Sequence, residues 1–148
     1  MDSWSFAGGD NNSDSKGAVM FEKIKNIVVL GAGESGVGAA LLAVKNGFNV
    51  FVSDNGTIAK ESKDLLNTNK VDWEEGNHNE EIIFNADLVI KSPGIPINTP
   101  IIIGLKNRGV EILSEIEFAS FLLSLAVFVW LDHPNDIQIS DKVAPYGQ

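Results

Sequence analysis

The 148-residue sequence predicts an α/β domain built on a doubly wound parallel sheet, and three observations carry that expectation. Short apolar runs rich in β-branched residues recur along the chain, with helical stretches between them. The runs are continuous rather than alternating, as in strands buried on both faces. The first run passes straight into a glycine-rich turn that opens a helix, and strands that alternate with helices at this spacing imply right-handed crossovers between parallel neighbours.

Each element has its own warrant. Lys25 to Gly31, KNIVVLG, is the first strand. After GAGESG, the small and aliphatic residues of VGAALLAVKNG make a helix that closes at Asn46-Gly47, a good C-terminal stop. Asn49 to Asp54 is the second strand, and Ile58 to Asn69 is a polar helix with Leu65 and Leu66 on one side. VDWEEG adds a brief extended piece, and Glu80 to Phe84 a helical turn. ADLVIKSPG gives a third apolar strand ending at Lys91-Ser92; Thr99 to Gly109 forms a further helix with a glycine stop, and Val110 to Leu113 a further strand. Ser114 and Glu117 then fit a capping box, each side chain reaching the other's backbone N–H, which opens a last helix.

Composition excludes several functions. With 44% hydrophobic and 21% charged residues the chain can build a core. Eleven Lys+Arg against twenty Asp+Glu give a formal charge of -9, which argues against a sequence-independent grip on nucleic acid. An anionic ligand must be held by backbone N–H groups and helix ends. The absence of cysteine removes disulfides and thiolate chemistry and agrees with a cytoplasmic location, while two histidines, His78 and His133, are too few for a multi-histidine metal site. Residues 1–20 lack the pattern of a signal peptide and read as a disordered tail rich in Gly, Asn, Asp and Ser. The long apolar run Phe118 to Leu131 is too short for a membrane span and reads as a buried or partner-seeking helix.

In a doubly wound sheet, ligands bind beyond the carboxyl ends of the strands, so the segments after Leu30, Ser53 and Lys91 are the places to search. The first is Gly31-Ala32-Gly33-Glu34-Ser35-Gly36, a G-x-G-x-x-G placed between strand and helix where its mechanism requires. The first glycine permits the turn, the second lets a phosphate approach and the third lets the helix pack on the strand, while the helix start holds the anion. Ser35 adds a hydroxyl, and Glu34 is expected to face solvent. Asp54 lies 23 residues after Gly31, near the spacing of an acidic residue that meets a ribose, but Asp54-Asn55-Gly56 fits a plain turn equally well. Ser92-Pro93-Gly94 fixes the third loop, where Gly94 leaves space for a flat ring. His78 and the carboxylates of Glu74, Glu75, Glu80 and Glu81 read as solvated, and Trp73 and Trp130 as core.

Taken together, IVVLGAGESGVGAALLA, FVSDNG, ADLVIKSPGIP and VEILSEIEFAS resemble the N-terminal domain of the MurD family, the UDP-N-acetylmuramoyl-L-alanine:D-glutamate ligases. The most specific part is KSPGIP followed a dozen residues later by SEIEF, a pair that nicotinamide dehydrogenases lack. The resemblance implies a Rossmann-like domain over residues 21–120 that binds the UDP part of UDP-N-acetylmuramoyl-L-alanine. By position it implies that Gly33, Ser35 and Gly36 face the diphosphate and that Asp54, Asn55, Ser92, Pro93 and Gly94 surround uridine. In the family, a G-x-x-G-K-[ST] loop holding ATP follows, with magnesium bound beyond it. Residues 121–148 depart from that pattern, and the sequence contains no Gly-Lys pair. A chain of this kind is expected to carry no catalytic residues, metal ligands or cofactor of its own, and to self-associate through residues 118–131. Two other readings stay open: a free-standing module for NAD(P) or a flavin nucleotide, and a non-enzymatic interaction domain.

Overall fold

The computed structural model describes residues 22–132; the expected tail over residues 1–20 and the segment 133–148 lie outside the described residues. Five strands alternate with five helices: β1 (Asn26–Leu30), α1 (Glu34–Lys45), β2 (Asn49–Asp54), α2 (Lys60–Thr68), β3 (Asp72–Glu75), α3 (Glu80–Phe84), β4 (Leu88–Lys91), α4 (Pro100–Asn107), β5 (Glu111–Ser114) and α5 (Glu115–Asp132). The sheet order is β3-β2-β1-β4-β5, with every neighbouring pair parallel. This is the doubly wound, Rossmann-like α/β fold expected from the sequence. The brief extended piece VDWEEG is a full edge strand, with Phe51 opposite Asp72 and Asp54 opposite Glu75.

Two cores flank the sheet because side chains alternate along each strand. On one face, Ile27 and Val29 of β1 and Leu88 and Ile90 of β4 pack with Val37, Ala40 and Ala43 of α1, Leu66 of α2 and Phe118 of α5. On the other, Val28, Leu30 and Val89 meet Ile83 of α3 and Ile101, Ile102 and Leu105 of α4. β1 is therefore apolar throughout because both its faces are covered, Val29 and Leu30 being wholly buried. At its start, Asp87 accepts from the backbone N–H groups of Lys25 and Asn26, at 2.9 Å each, and so ties the lower ends of β1 and β4 together.

The capping box at the end of β5 forms as the sequence predicts. Glu117 N–H donates to Ser114 Oγ at 3.1 Å, and Ser114 N–H to Glu117 Oε2 at 2.7 Å. These two hydrogen bonds hold the Glu117 carboxyl below its ordinary value. Helix α5 then continues without a break past residue 120 to Asp132. Only its first turns pack on the sheet: Phe118 is buried, whereas Leu123, Val127, Phe128, Val129, Trp130 and Leu131 are exposed. Trp130 is thus not a core residue. The expected tryptophan packing holds for Trp73, which lies partly buried against the first core.

Candidate functional site

Three loops meet above the carboxyl ends of β1, β2 and β4, and backbone hydrogen bonds hold them in register. Gly31 N–H donates to Ser53 O at 2.9 Å, and Ser92 N–H to Leu30 O at 3.0 Å, so the loop after β1 is gripped from both sides. Gly31 has φ +100°, a conformation that favours glycine, and a Cβ there would stand 2.7 Å from Cβ of Ser92. At Gly36 a Cβ would overlap the carbonyl of Gly31, with the carbonyl carbon 3.0 Å away. These two positions fix how tightly helix α1 sits on the turn. Gly33, by contrast, is exposed, and a Cβ there meets nothing within 4 Å. Gly33 is also the N-cap of α1 and supplies no side-chain cap, which leaves the first N–H groups of a 12-residue helix pointing into that open space. Ser35 and Glu34 are exposed beside it, the latter as expected.

Asp54 is committed to the backbone. Its Oδ2 accepts from Ala32 N–H at 2.7 Å and its Oδ1 from Gly56 N–H at 2.8 Å. The second bond is the Asx turn that Asp54-Asn55-Gly56 suggests; the first ties the glycine loop to the end of β2, a role that sequence spacing does not reveal. Each carboxylate oxygen retains a lone pair, so a ligand donor can still be accepted. The third loop is equally fixed: Ile95 N–H donates to Ser92 O at 3.1 Å across Pro93-Gly94, and Lys91 Nζ donates to the carbonyls of Ser92 (3.0 Å) and Ile95 (2.6 Å). Pro93 and Gly94 are exposed at its tip.

Between the second and third loops lies a cavity of about 430 Å³, within the usual range for a small-ligand site. Asn55 and Gly94 line it, together with Asn77, His78, Glu80 and Ile95. A larger hollow of about 670 Å³ runs along the starts of β1, β2 and β3, at the wrong end of the sheet for a doubly wound ligand site. His78 departs from the solvent-facing role expected of it. Its Nδ1 lies 2.7 Å from Ser53 Oγ, which in turn lies 2.6 Å from Glu74 Oε1. Glu74 Oε1 also accepts from Asn79 N–H at 2.6 Å. Glu75 is partnered as well, accepting from Lys63 Nζ at 2.7 Å and from Ile58 N–H at 2.8 Å, and these bonds, the Lys63 one foremost, hold its carboxyl below the ordinary value. Two of the four carboxylates expected to be a solvated face are therefore internal ties, and no sequence signal links them to partners up to 21 residues away.

One further carboxylate was not foreseen at this site. Glu115, at the first position of α5, is only 9% exposed, and its Oε1 has no hydrogen-bond partner among the described residues. It lies 3.5 Å from where a Cβ on Gly36 would stand. No group of His, Asp and Glu that could hold a metal ion occurs among the described residues. No helix among them is long and apolar enough to cross a membrane.

Residues 25–114, more than half of the chain, match the family described as Mur ligase MurD-like, N-terminal domain. The chain belongs to this family. Its MurD-like segment is 58% identical over 96 residues to a Bacteroides thetaiotaomicron protein named UDP-N-acetylmuramoylalanine--D-glutamate ligase, covering 65% of this chain and 22% of that one. A Christiangramia forsetii protein of the same name is 50% identical over 103 residues, 70% of this chain and 23% of the relative. The chain thus spans less than a quarter of the length of these curated relatives. Among solved structures, a murein peptide ligase from Psychrobacter arcticus superposes with a TM-score of 0.58 at 26% identity, over 65% of this chain and 20% of that one. The MurC ligase of Thermotoga maritima shares the fold, with a TM-score of 0.58 at 22% identity over 69% and 23% of the respective chains.

Proposed function

We propose that this MurD-like domain binds the UDP part of UDP-N-acetylmuramoyl-L-alanine in the cytoplasm and forms no amide bond by itself. The observation that carries this reading is the open space in front of Gly33, where uncapped N–H groups of α1 face outward next to a cavity lined by Asn55 and Gly94. A diphosphate placed there takes its hydrogen bonds from the helix start, with no need for a basic cluster in a chain of formal charge -9. The nucleoside then extends over Asp54 and Asn55 on one side and Ser92, Pro93 and Gly94 on the other. Ser35 and Gly36 complete the phosphate end. Asp54 argues against a dinucleotide, since both of its oxygens already hold the loops that a ribose would have to approach.

ATP and magnesium, which the family's reaction uses, do not fit the residues present. The sequence has no Gly-Lys phosphate loop, and the described residues offer no acidic cluster for a metal. Phosphoryl transfer and D-glutamate addition are accordingly not assigned to any side chain here. Calorimetric titration with UDP-N-acetylmuramoyl-L-alanine, UDP and NADH tests the reading: binding of the two uridine compounds and not of NADH is expected, and the reverse order defeats it.

A further inference from the structure

We infer that His78 reads the base of the bound nucleotide, accepting a hydrogen bond through Nε2 from the ring N–H of a keto pyrimidine, and that Ser53 and Glu74 set it to do so. This inference rests on the uridine reading above and adds a specificity-determining residue to it.

The assignment follows from counting protons. Ser53 is 0% exposed, so its hydroxyl must find its partners inside the protein. A hydroxyl has one proton to give, and an ionised carboxylate can only accept. The 2.6 Å contact with Glu74 Oε1 therefore takes the Ser53 proton, and Asn79 N–H, donating to the same oxygen, reinforces Glu74 as an acceptor. Ser53 Oγ is then an acceptor toward His78, so Nδ1, 2.7 Å away, carries a proton. In the neutral ring the lone pair falls on Nε2, which has no hydrogen-bond partner among the described residues. The ring lines the 430 Å³ cavity together with Asn55 and Asn77, whose side-chain amides can donate to ring carbonyls. An acceptor between amide donors complements a uracil, which presents N–H between two carbonyls. Cytosine presents a bare ring nitrogen at that place, and two lone pairs would face each other.

The test compares UDP with CDP by calorimetry, since the shared diphosphate cancels in the ratio of their affinities. Wild-type protein is expected to favour UDP. His78→Ala should weaken UDP about fivefold, the usual worth of one neutral hydrogen bond, and leave CDP nearly unchanged. Glu74→Gln does not touch the ligand, yet its amide no longer dictates which way the Ser53 proton points, so the ratio should fall between the other two. Thermal midpoints measured alongside separate loss of fold from loss of discrimination. A ratio unchanged in a folded His78→Ala variant, or equal wild-type affinity for UDP and CDP, overturns the inference and leaves the uridine diphosphate reading standing. An unchanged ratio in folded Glu74→Gln overturns the part played by Ser53 and Glu74. Failure of wild-type protein to bind either nucleotide refutes the underlying reading, and this inference with it.

Discussion

Two alanine substitutions two residues apart in helix α1 should have opposite effects. Gly36 and Gly38 share the helix and its propensity, and replacing glycine by alanine within a helix is worth up to about 1 kcal/mol in its favour. At Gly38 nothing lies within 4 Å of the added methyl, so Gly38→Ala should stabilise by roughly 0.5–1 kcal/mol. At Gly36 the methyl would overlap the carbonyl oxygen of Gly31 and lie 3.0 Å from its carbon, with Glu115 Oε1 3.5 Å off on the other side. The obstructing group is backbone, held by the bonds from Gly31 to Ser53 and from Ser92 to Leu30, and cannot turn aside as a side chain would. Overpacking of this kind costs about 1–3 kcal/mol or somewhat more, which outweighs the helix gain. We expect Gly36→Ala to lower stability by about 2 kcal/mol, or roughly 8–16 °C in midpoint for a domain of this size. Chemical denaturation of both variants beside the wild type measures this. Equal changes in the two variants, in either direction, would refute the idea that α1 is docked through backbone contact at Gly36.

Gly33→Val should keep the fold, losing no more than about 1 kcal/mol at the N-cap, while abolishing UDP binding by calorimetry; intact affinity would remove the phosphate from that space. Asp54→Asn should lower the melting midpoint as well as any affinity, by about 1–2 kcal/mol, because its carboxylate accepts from both Ala32 and Gly56 N–H; a loss of affinity with no change in midpoint would contradict this. Acidification should destabilise the domain through Glu75 and Glu117. Both carboxyls are held below their ordinary value of 4.5 in the folded state, so the stability they contribute is present above that value and is lost as pH falls through and below it. Glu75→Gln should flatten the acid limb of a midpoint-against-pH curve, and an unchanged limb would show that the Lys63 and Ile58 bonds add nothing. Finally, Leu123, Val127 and Trp130 recur at helical spacing on the exposed side of α5 and suit pairing with the same helix of a second copy. Sedimentation should show dimers or larger species at micromolar concentration that Val127→Lys disperses; a monomer at those concentrations excludes it.

The alternation of strands and helices could be read directly because it rests on local patterns. The β-branched run of β1, the Asn46-Gly47 stop after α1 and the Ser114–Glu117 box each act within a few residues. The glycine loop was legible for the same reason, its three glycines answering to three steric demands of one turn. β3 was harder, since DWEE has no apolar run and gains its place only by pairing with β2 at the sheet edge. Asp54 left two readings open because its decisive partner, Ala32 N–H, is 22 residues away. His78 looked idle for a related reason: a lone histidine in GNHNEE shows nothing of a buried serine 25 residues earlier in the chain. Sequence patterns report what neighbours do to each other, and these contacts exist only after the crossovers have brought distant strand ends together.

The central position of β1 governs how the domain can be made. As the chain emerges during synthesis, β1 comes first and β2 soon covers one of its edges, with Asn26 paired to Asn49. Its other edge must wait for β4, because Ile27 pairs with Leu88, 61 residues later. At 5–20 residues per second that interval is roughly 3–12 s. Throughout it, the most apolar strand of the domain presents unpaired backbone N–H and C=O groups, with one apolar face still lacking α4. Any chain ending before Leu88 would keep that edge open for good. The period before β4 appears is therefore when a nascent chain is most exposed to mispairing with its neighbours on a polysome, and when a chaperone has most to protect.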